Sequence, residues 1–227
     1  MPTRTTPQRN LSWGEPRALV VAAHLAGEEL DSEIRRVEVA RDAADGAKIT
    51  SFTQVFLRHG LLMLALAALS VLFPNALVAL SLSVTGFLAS PHYYALAFLT
   101  LLAFLIAYSQ LSDKVVNRKQ LMWIGYLLFI SVAEEWIFRL ALPNLLKGYL
   151  APLYAVVISN VIFAAIHFFT LRWRLIWVIF AFLGGLGLSR VMTHGDLLVV
   201  IWLHWIGTFL NTPFPPGLKQ LKEKSAP

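Results

Sequence analysis

The sequence predicts an all-α fold, a polytopic bundle of about six transmembrane helices. Composition is the first indication, because 57% of the 227 residues are hydrophobic and only 14% are charged. Soluble domains are close to half apolar and a quarter charged. The second indication is a series of apolar runs after residue 55, several of them near the length of about 20 residues that crosses a bilayer. These features place the chain in the multi-pass membrane class.

Composition also divides the chain into two regions. Residues 1–50 carry seven Lys/Arg and eight Asp/Glu, and apolar side chains recur at helical spacings between residues 16 and 44. We expect a polar tail followed by an amphipathic cytoplasmic helix that lies on the membrane or packs on the rest of the protein. Residues 51–227 form the membrane-embedded domain, and residues 115–212 within it carry the motifs described below.

Six apolar runs are the candidate spans. The first is longer than one simple span and is interrupted by Pro74 and Asn75. We favour one kinked and tilted helix for this run over a span followed by a re-entrant segment. The six runs are 60–89, 93–111, 121–142, 153–169, 175–188 and 197–210.

The basic residues between the spans predict the orientation. With six spans, eight Lys/Arg fall on one side of the membrane, whereas only Lys147 and Arg190 fall in loops on the other. Positive charge marks cytoplasmic loops, so both termini are predicted to be cytoplasmic. This distribution does not indicate a nucleic-acid-binding patch. The eight residues are Lys114, Arg118, Lys119, Arg172, Arg174, Lys219, Lys222 and Lys224.

The third span contains three charged residues within six consecutive positions. A charge at the centre of a bilayer costs roughly 2.5–3.5 kcal/mol on insertion scales, so such residues usually have a function. Glu135 and Arg139 are four residues apart on one helix face, which predicts a salt bridge. Glu134 is rotated by about 100° from Glu135 around the helix axis and has no partner on its own helix. We therefore separate a paired glutamate from one available for chemistry; the alternative is one ion-pair network that only holds helices together.

Two further spans carry polar side chains along one face. The fourth span has Asn160 and His167, seven residues apart. The sixth has His204, Thr208 and Asn211 at positions i, i+4 and i+7. Either stripe alone is typical of hydrogen bonding between helices. Together with the carboxylates of the third span, the two stripes indicate a shared polar site within the membrane.

The remaining four histidines fall outside the predicted span interiors. We interpret His24, His59, His92 and His194 as surface residues. The chain has no cysteine, which excludes disulfides, thiolate nucleophiles and cysteine-bound metals.

The motifs of the third to sixth spans resemble those of the CAAX-protease and bacteriocin-processing (CPBP, or ABI) family. They are Glu134-Glu135-x-x-x-Arg139, Phe163-x-x-x-His167 and Gly185-Leu186-Gly187-Leu188 before His204, in that order. Each motif is short, and their joint occurrence carries the resemblance. It implies an all-helical membrane fold around a polar cavity, and a glutamate-dependent endopeptidase that forms no covalent intermediate.

The resemblance also implies roles for individual residues. Glu134 and His167 would hold and activate a water molecule, while Glu135 with Arg139 would brace the helix. The residues themselves also suit this chemistry, because amide hydrolysis needs a base that can later act as an acid, and a buried glutamate can do both. The implied partners are the lipid bilayer and a polypeptide substrate, prenylated or otherwise membrane-bound.

The last motif departs from the family pattern. The family has Asn or Asp four residues after the histidine that helps form the oxyanion site, whereas this chain has Thr208 after His204. A threonine hydroxyl can donate one hydrogen bond to the oxyanion. Asn211 is a possible substitute donor one turn further along.

Two other function classes remain open at this stage. One is a non-proteolytic membrane scaffold or transporter that uses the same polar cluster, although no pair of related halves is visible. The other is a zinc-dependent protease in which Glu134, His167 and His204 bind the metal, although the sequence has no H-E-x-x-H helix. We expect no cofactor and no metal.

Overall fold

The fold is known from a computed structural model that describes residues 49, 51–113, 117–194 and 196–216. Within these residues the chain is entirely helical, with eight helices and no strand, which confirms the predicted all-α class. The tail and amphipathic helix predicted within residues 1–50 lie almost wholly outside the described part. The helices are α1 Phe52–Ser70, α2 Ala76–Ser83, α3 Thr85–Ala89, α4 Pro91–Asp113, α5 Arg118–Leu146, α6 Pro152–Leu171, α7 Leu175–Met192 and α8 Leu197–Asn211.

The first apolar run is not one kinked span, so that prediction was wrong. Helix α1 begins at Phe52, where Ser51 accepts a hydrogen bond from the backbone of the first turn, and it ends at Ser70. Pro74 cannot continue the backbone ladder and disfavours helical geometry in the residue before it. Asn75 has a left-handed φ of 60°. The chain therefore turns after α1 and continues as the short helices α2 and α3.

Five helices are long and apolar enough to cross a membrane: α1, α4, α5, α6 and α7. Helix α8 is apolar but has only 15 residues. The outer faces of the bundle are covered with exposed leucine, isoleucine and phenylalanine side chains, such as Leu72, Leu111 and Leu153. An apolar outer surface of this kind suits lipid and not water. The protein is an integral, multi-pass membrane protein.

Helix α5 lies at the centre of the bundle. Of its most apolar 18-residue stretch, 67% is buried inside the protein, compared with 6–33% of the corresponding stretches in the other four long helices. Helices α1, α6 and α8 all contact it. A helix that carries three charged side chains in its interior cannot face lipid there without a large free-energy cost, so the rest of the bundle surrounds it.

Two π-helical segments interrupt the α-helical ladders next to the polar residues. One, Phe56–Gly60, lies in the first half of α1, and the other, Trp136–Ala141, follows Glu135 in α5. A π-helical segment changes which side chains share a helix face, and such segments are frequent at functional sites. Here they contain His59 and Arg139.

Asp196 fixes the start of α8. Its carboxylate accepts hydrogen bonds from the backbone N–H groups of Leu198 and Val199 at 3.1 and 3.2 Å. The same carboxylate accepts bonds from the Phe87 backbone and the Tyr94 hydroxyl. Asp196 thus caps α8 and joins it to α3 and α4, which sets the position of His204 about two turns into the helix.

Candidate active site

The site is formed by side chains from four helices that surround the carboxylate of Glu134. Glu134 is only 2% exposed. Its Oε1 lies 2.8 Å from Nε2 of His59 on α1 and 3.5 Å from Nε2 of His167 on α6. Its Oε2 lies 3.4 Å from Nε2 of His204 on α8. The structure thus brings together the three spans singled out from the sequence and adds a fourth.

His59 is the residue that the sequence interpretation missed, and its assignment to the surface was wrong. It is 3% exposed and contacts Glu134 directly. The error came from starting the first span at Gly60, where the continuous apolar run begins, although α1 begins at Phe52. The helix cap at Ser51 was the available signal, because it places His59 two turns inside a helix.

The other histidines assigned to the surface have different outcomes. His92 and His194 are exposed, as predicted. His24 lies outside the residues that the structure describes.

The predicted ion pair between Glu135 and Arg139 is present. Arg139 Nε lies 3.2 Å from Glu135 Oε2, within ion-pair distance but without hydrogen-bond alignment. The guanidinium also lies over the Phe163 ring, 4.5 Å from its centroid. Both charged groups are buried, and the guanidinium nitrogens have no hydrogen-bond acceptor among the described residues. Arg139 therefore depends on Glu135 for charge compensation.

Neighbouring groups determine which ring nitrogen of His167 and His204 faces Glu134. Nδ1 of His167 lies 2.8 Å from the Phe163 carbonyl, which can only accept, so Nδ1 carries the hydrogen. Nδ1 of His204 lies 2.5 Å from Oε1 of Glu135. In both rings Nε2 is the nitrogen directed at Glu134. Glu135 therefore serves two partners, one cationic residue on its own helix and one histidine from α8.

Three of these side chains could hold a metal ion. Ligand atoms from His59, Glu134 and His167 all lie within 4.8 Å of one another. Two histidines and a carboxylate suit zinc, and ligand histidines usually have their second ring nitrogen bound to another group, as it is here. The alternative zinc site considered from the sequence had His204 in place of His59, whereas the structure brings His59, Glu134 and His167 together.

The two candidate donors at the end of α8 have a different relation to the site from that of His204. Thr208 is partly buried and Asn211 is exposed. Within the described part of the chain, neither side chain makes a hydrogen bond to Glu134, His167 or His204. On the polar face of α8, His204 is thus the residue for which the structure shows polar contacts with the cluster, to Glu134 and Glu135.

Gly185 on α7 packs closely against the polar residues of the neighbouring helices. An added Cβ at this position would collide with Oδ1 of Asn160 and would lie 3.1 Å from Arg139 Nη2. Asn160 cannot easily move, because its Nδ2 donates to the Val156 carbonyl and to the Ser189 hydroxyl. The glycine allows α7 to approach the site.

The comparisons with known proteins point to the part of the chain that contains most of this site. Residues 117–210 match the family described as "Type II CAAX prenyl endopeptidase Rce1-like". Neither the curated proteins nor the solved structures give a significant match. The match covers α5 to α7 and α8 as far as Leu210, and therefore every residue of the cluster around Glu134 except His59. For the segment 117–210 it confirms the resemblance to the CAAX-protease (CPBP) family that the motifs carry.

Proposed function

We propose that the protein is an intramembrane endopeptidase in which Glu134 activates water for hydrolysis of a peptide bond. The observation that carries this proposal is the arrangement around one buried carboxylate, with imidazole nitrogens from three other helices between 2.8 and 3.5 Å away. Such a group can take a proton from water and return it to the leaving amine, which contributes typically 10²–10⁴-fold to rate. The family match supports a peptidase.

Glu134 and His167 are proposed to hold the water together. Oε1 of Glu134 and Nε2 of His167 are 3.5 Å apart, and Nε2 is free to accept because Nδ1 carries the hydrogen. A water molecule at about 2.8 Å from each atom could donate one hydrogen to each. Its oxygen lone pair would then be directed away from both groups and towards a substrate carbonyl.

His204 is proposed to stabilise the oxyanion of the tetrahedral intermediate. For this role its Nε2 must carry a hydrogen in addition to the one on Nδ1, and the adjacent Glu135 carboxylate offsets the resulting charge. Thr208 is the proposed second donor, acting through a bridging water, and Asn211 is its possible substitute. Glu135 and Arg139 are proposed to support the site structurally.

The proposed substrate is a membrane-bound polypeptide, and a prenylated peptide ending in a CAAX sequence is the first one to test. A prenyl group is chosen because the matching family is described as a CAAX prenyl endopeptidase. The bundle itself supports a membrane-bound substrate, because the site lies among helices with an apolar outer surface. Both termini are proposed to be cytoplasmic, as the Lys and Arg distribution predicts.

A reconstituted cleavage assay tests this function. The full chain in proteoliposomes is incubated with a farnesylated CAAX peptide, and products are identified by mass spectrometry. Membranes of cells that produce the wild-type chain or Glu134→Gln are compared in parallel for polypeptides that lose a segment. We expect a product that depends on Glu134. If neither arm yields one, the chain is not a peptidase, and the scaffold or transporter class replaces this proposal.

A metal-dependent protease is the second candidate, favoured by the convergence of His59, Glu134 and His167. In that case the metal, and not the carboxylate, would activate the water. The two mechanisms differ in their response to chelators. Activity that survives EDTA and phenanthroline supports the metal-free mechanism, whereas activity lost to chelators and restored by zinc supports the metal.

A further inference from the structure

His59 makes two hydrogen bonds that connect the candidate base to another helix. Its Nε2 lies 2.8 Å from Oε1 of Glu134, and its Nδ1 lies 2.8 Å from the hydroxyl of Thr170 on α6. The Thr170 hydroxyl in turn donates to the carbonyl of Ile166 at 2.7 Å. These four groups form one continuous chain of hydrogen bonds that ends on the catalytic carboxylate.

The Thr170 hydroxyl determines the state of the His59 ring. A hydroxyl has one hydrogen, and that hydrogen is used by the Ile166 carbonyl. The hydroxyl oxygen must therefore accept from His59, which requires a hydrogen on Nδ1. For Glu134 to be the base, it must be a carboxylate, which can only accept, so Nε2 must also carry a hydrogen and donate it to Oε1; this bond fixes the plane of the carboxylate.

We propose that His59 is a positioning residue for Glu134 and that Thr170 acts through His59 by fixing its ring. This proposal rests on the proposed function, in which Glu134 is the base. His59 and Thr170 lie outside the motifs singled out in the sequence, and His59 also lies outside the matched residues 117–210. The hydrogen bonds of His59 thus join α1, which the family match does not cover, to the site on α5.

The alternative is that these contacts serve only to hold α1 against α6. A double-mutant cycle separates this packing role from the positioning of Glu134. Thr170→Val keeps the shape and removes the hydroxyl; His59→Gln removes the ring. We expect Thr170→Val to lower kcat by roughly 10–100-fold, the effect of displacing a reacting group, with KM unchanged. In the His59→Gln background the same change should have no further effect on kcat. Multiplicative losses in the double variant would overturn the proposal.

Thr193→Val is the matched control. The Thr193 hydroxyl also donates to a backbone carbonyl, that of Arg190 in the last turn of α7 at 2.7 Å, but its side chain is exposed. Among the described residues no histidine side chain makes a hydrogen bond to it. This variant should keep the wild-type kcat. A loss equal to that of Thr170→Val would show that removing such a hydroxyl has only a general effect on the bundle.

A measurement on the wild-type chain tests the ring state without any cleavage assay. Nitrogen-15 NMR of histidine-labelled full chain in detergent distinguishes a protonated Nδ1 from a bare one. The His59 signal is identified by its loss in His59→Gln or His59→Asn. We expect a hydrogen on Nδ1 in the wild type, and a shift of this signal in Thr170→Val that Thr193→Val does not produce.

The two measurements distinguish failure of this inference from failure of the proposed function. A bare Nδ1 on His59 overturns the inference even if the chain cleaves peptides. A protonated Nδ1 that responds to Thr170→Val, in a chain that cleaves nothing, leaves the hydrogen-bond chain standing and removes the catalytic role from both residues.

Discussion

Replacing the two adjacent glutamates should cause two different kinds of damage. In Glu135→Gln the Arg139 guanidinium remains buried with no carboxylate within ion-pair distance, since Glu135 is its only ion-pair partner among the described residues. Breaking a buried pair in this way costs about 3–5 kcal/mol. Glu135 is fully buried and also contacts His204, so water cannot compensate for the loss. We expect the midpoint of thermal unfolding to fall by roughly 6–20 °C for a chain of this size.

Glu134→Gln should leave the protein folded but inactive. The glutamine amide keeps the shape of the carboxylate and can donate to the histidine nitrogens around it. The stability change should therefore stay within about 1 kcal/mol, the net value of one hydrogen bond. Cleavage should fall by roughly 10²–10⁴-fold, because the amide cannot act as a base.

The assay compares thermal unfolding in detergent with the cleavage rate for each variant. The double variant Glu135→Gln/Arg139→Met is the internal control, because it leaves no uncompensated guanidinium and should recover much of the stability lost in Glu135→Gln. Equal stability losses in Glu134→Gln and Glu135→Gln would refute the reasoning. So would a double variant that is as unstable as the sum of its two single variants.

Three further predictions concern α7, α8 and the topology. Gly185→Ala should cost about 1–3 kcal/mol of stability, since its Cβ meets fixed side chains. Gly187→Ala, with open space around the added Cβ, should be neutral or slightly stabilising on the same unfolding assay. Thr208→Val should lower the cleavage rate by less than the 10²–10³-fold expected for a direct oxyanion donor, and Thr208→Asn should retain or raise it. A fully active Thr208→Val beside an inactive Asn211→Ala would transfer the donor role to Asn211. A single cysteine at Lys222, outside the described residues, should be labelled from the cytoplasmic side; labelling from the opposite side alone would contradict the predicted orientation.

The described fold was largely predictable because membrane solvation acts locally on the sequence. An apolar run of sufficient length forms a helix in a bilayer whatever its neighbours do, since every backbone polar group must be satisfied within it. The later spans were therefore predicted within a few residues. The first span was not, because Ser51 and the polar residues after it precede the apolar run although they belong to the same helix.

Part of the site was predictable for the same reason. Charged side chains within apolar spans stand out, and a spacing of four residues between Glu135 and Arg139 predicts their pairing without knowledge of the fold. The presence of His167 and His204 on polar helix faces indicated a shared site. Their distances to Glu134 could not be predicted, because they depend on how separate helices pack.

The sequence by itself determined the membrane class, the approximate spans and the residues whose burial demands a partner. Only the tertiary structure decided which partner each residue has. Glu134 has no partner on its own helix, and its closest contact, His59, is 75 positions away in the chain. Contacts of that kind result from packing between helices and from the π-helical segments that rotate their faces. Neither is encoded in a local pattern, so a histidine beside an apolar run was mistaken for a surface residue.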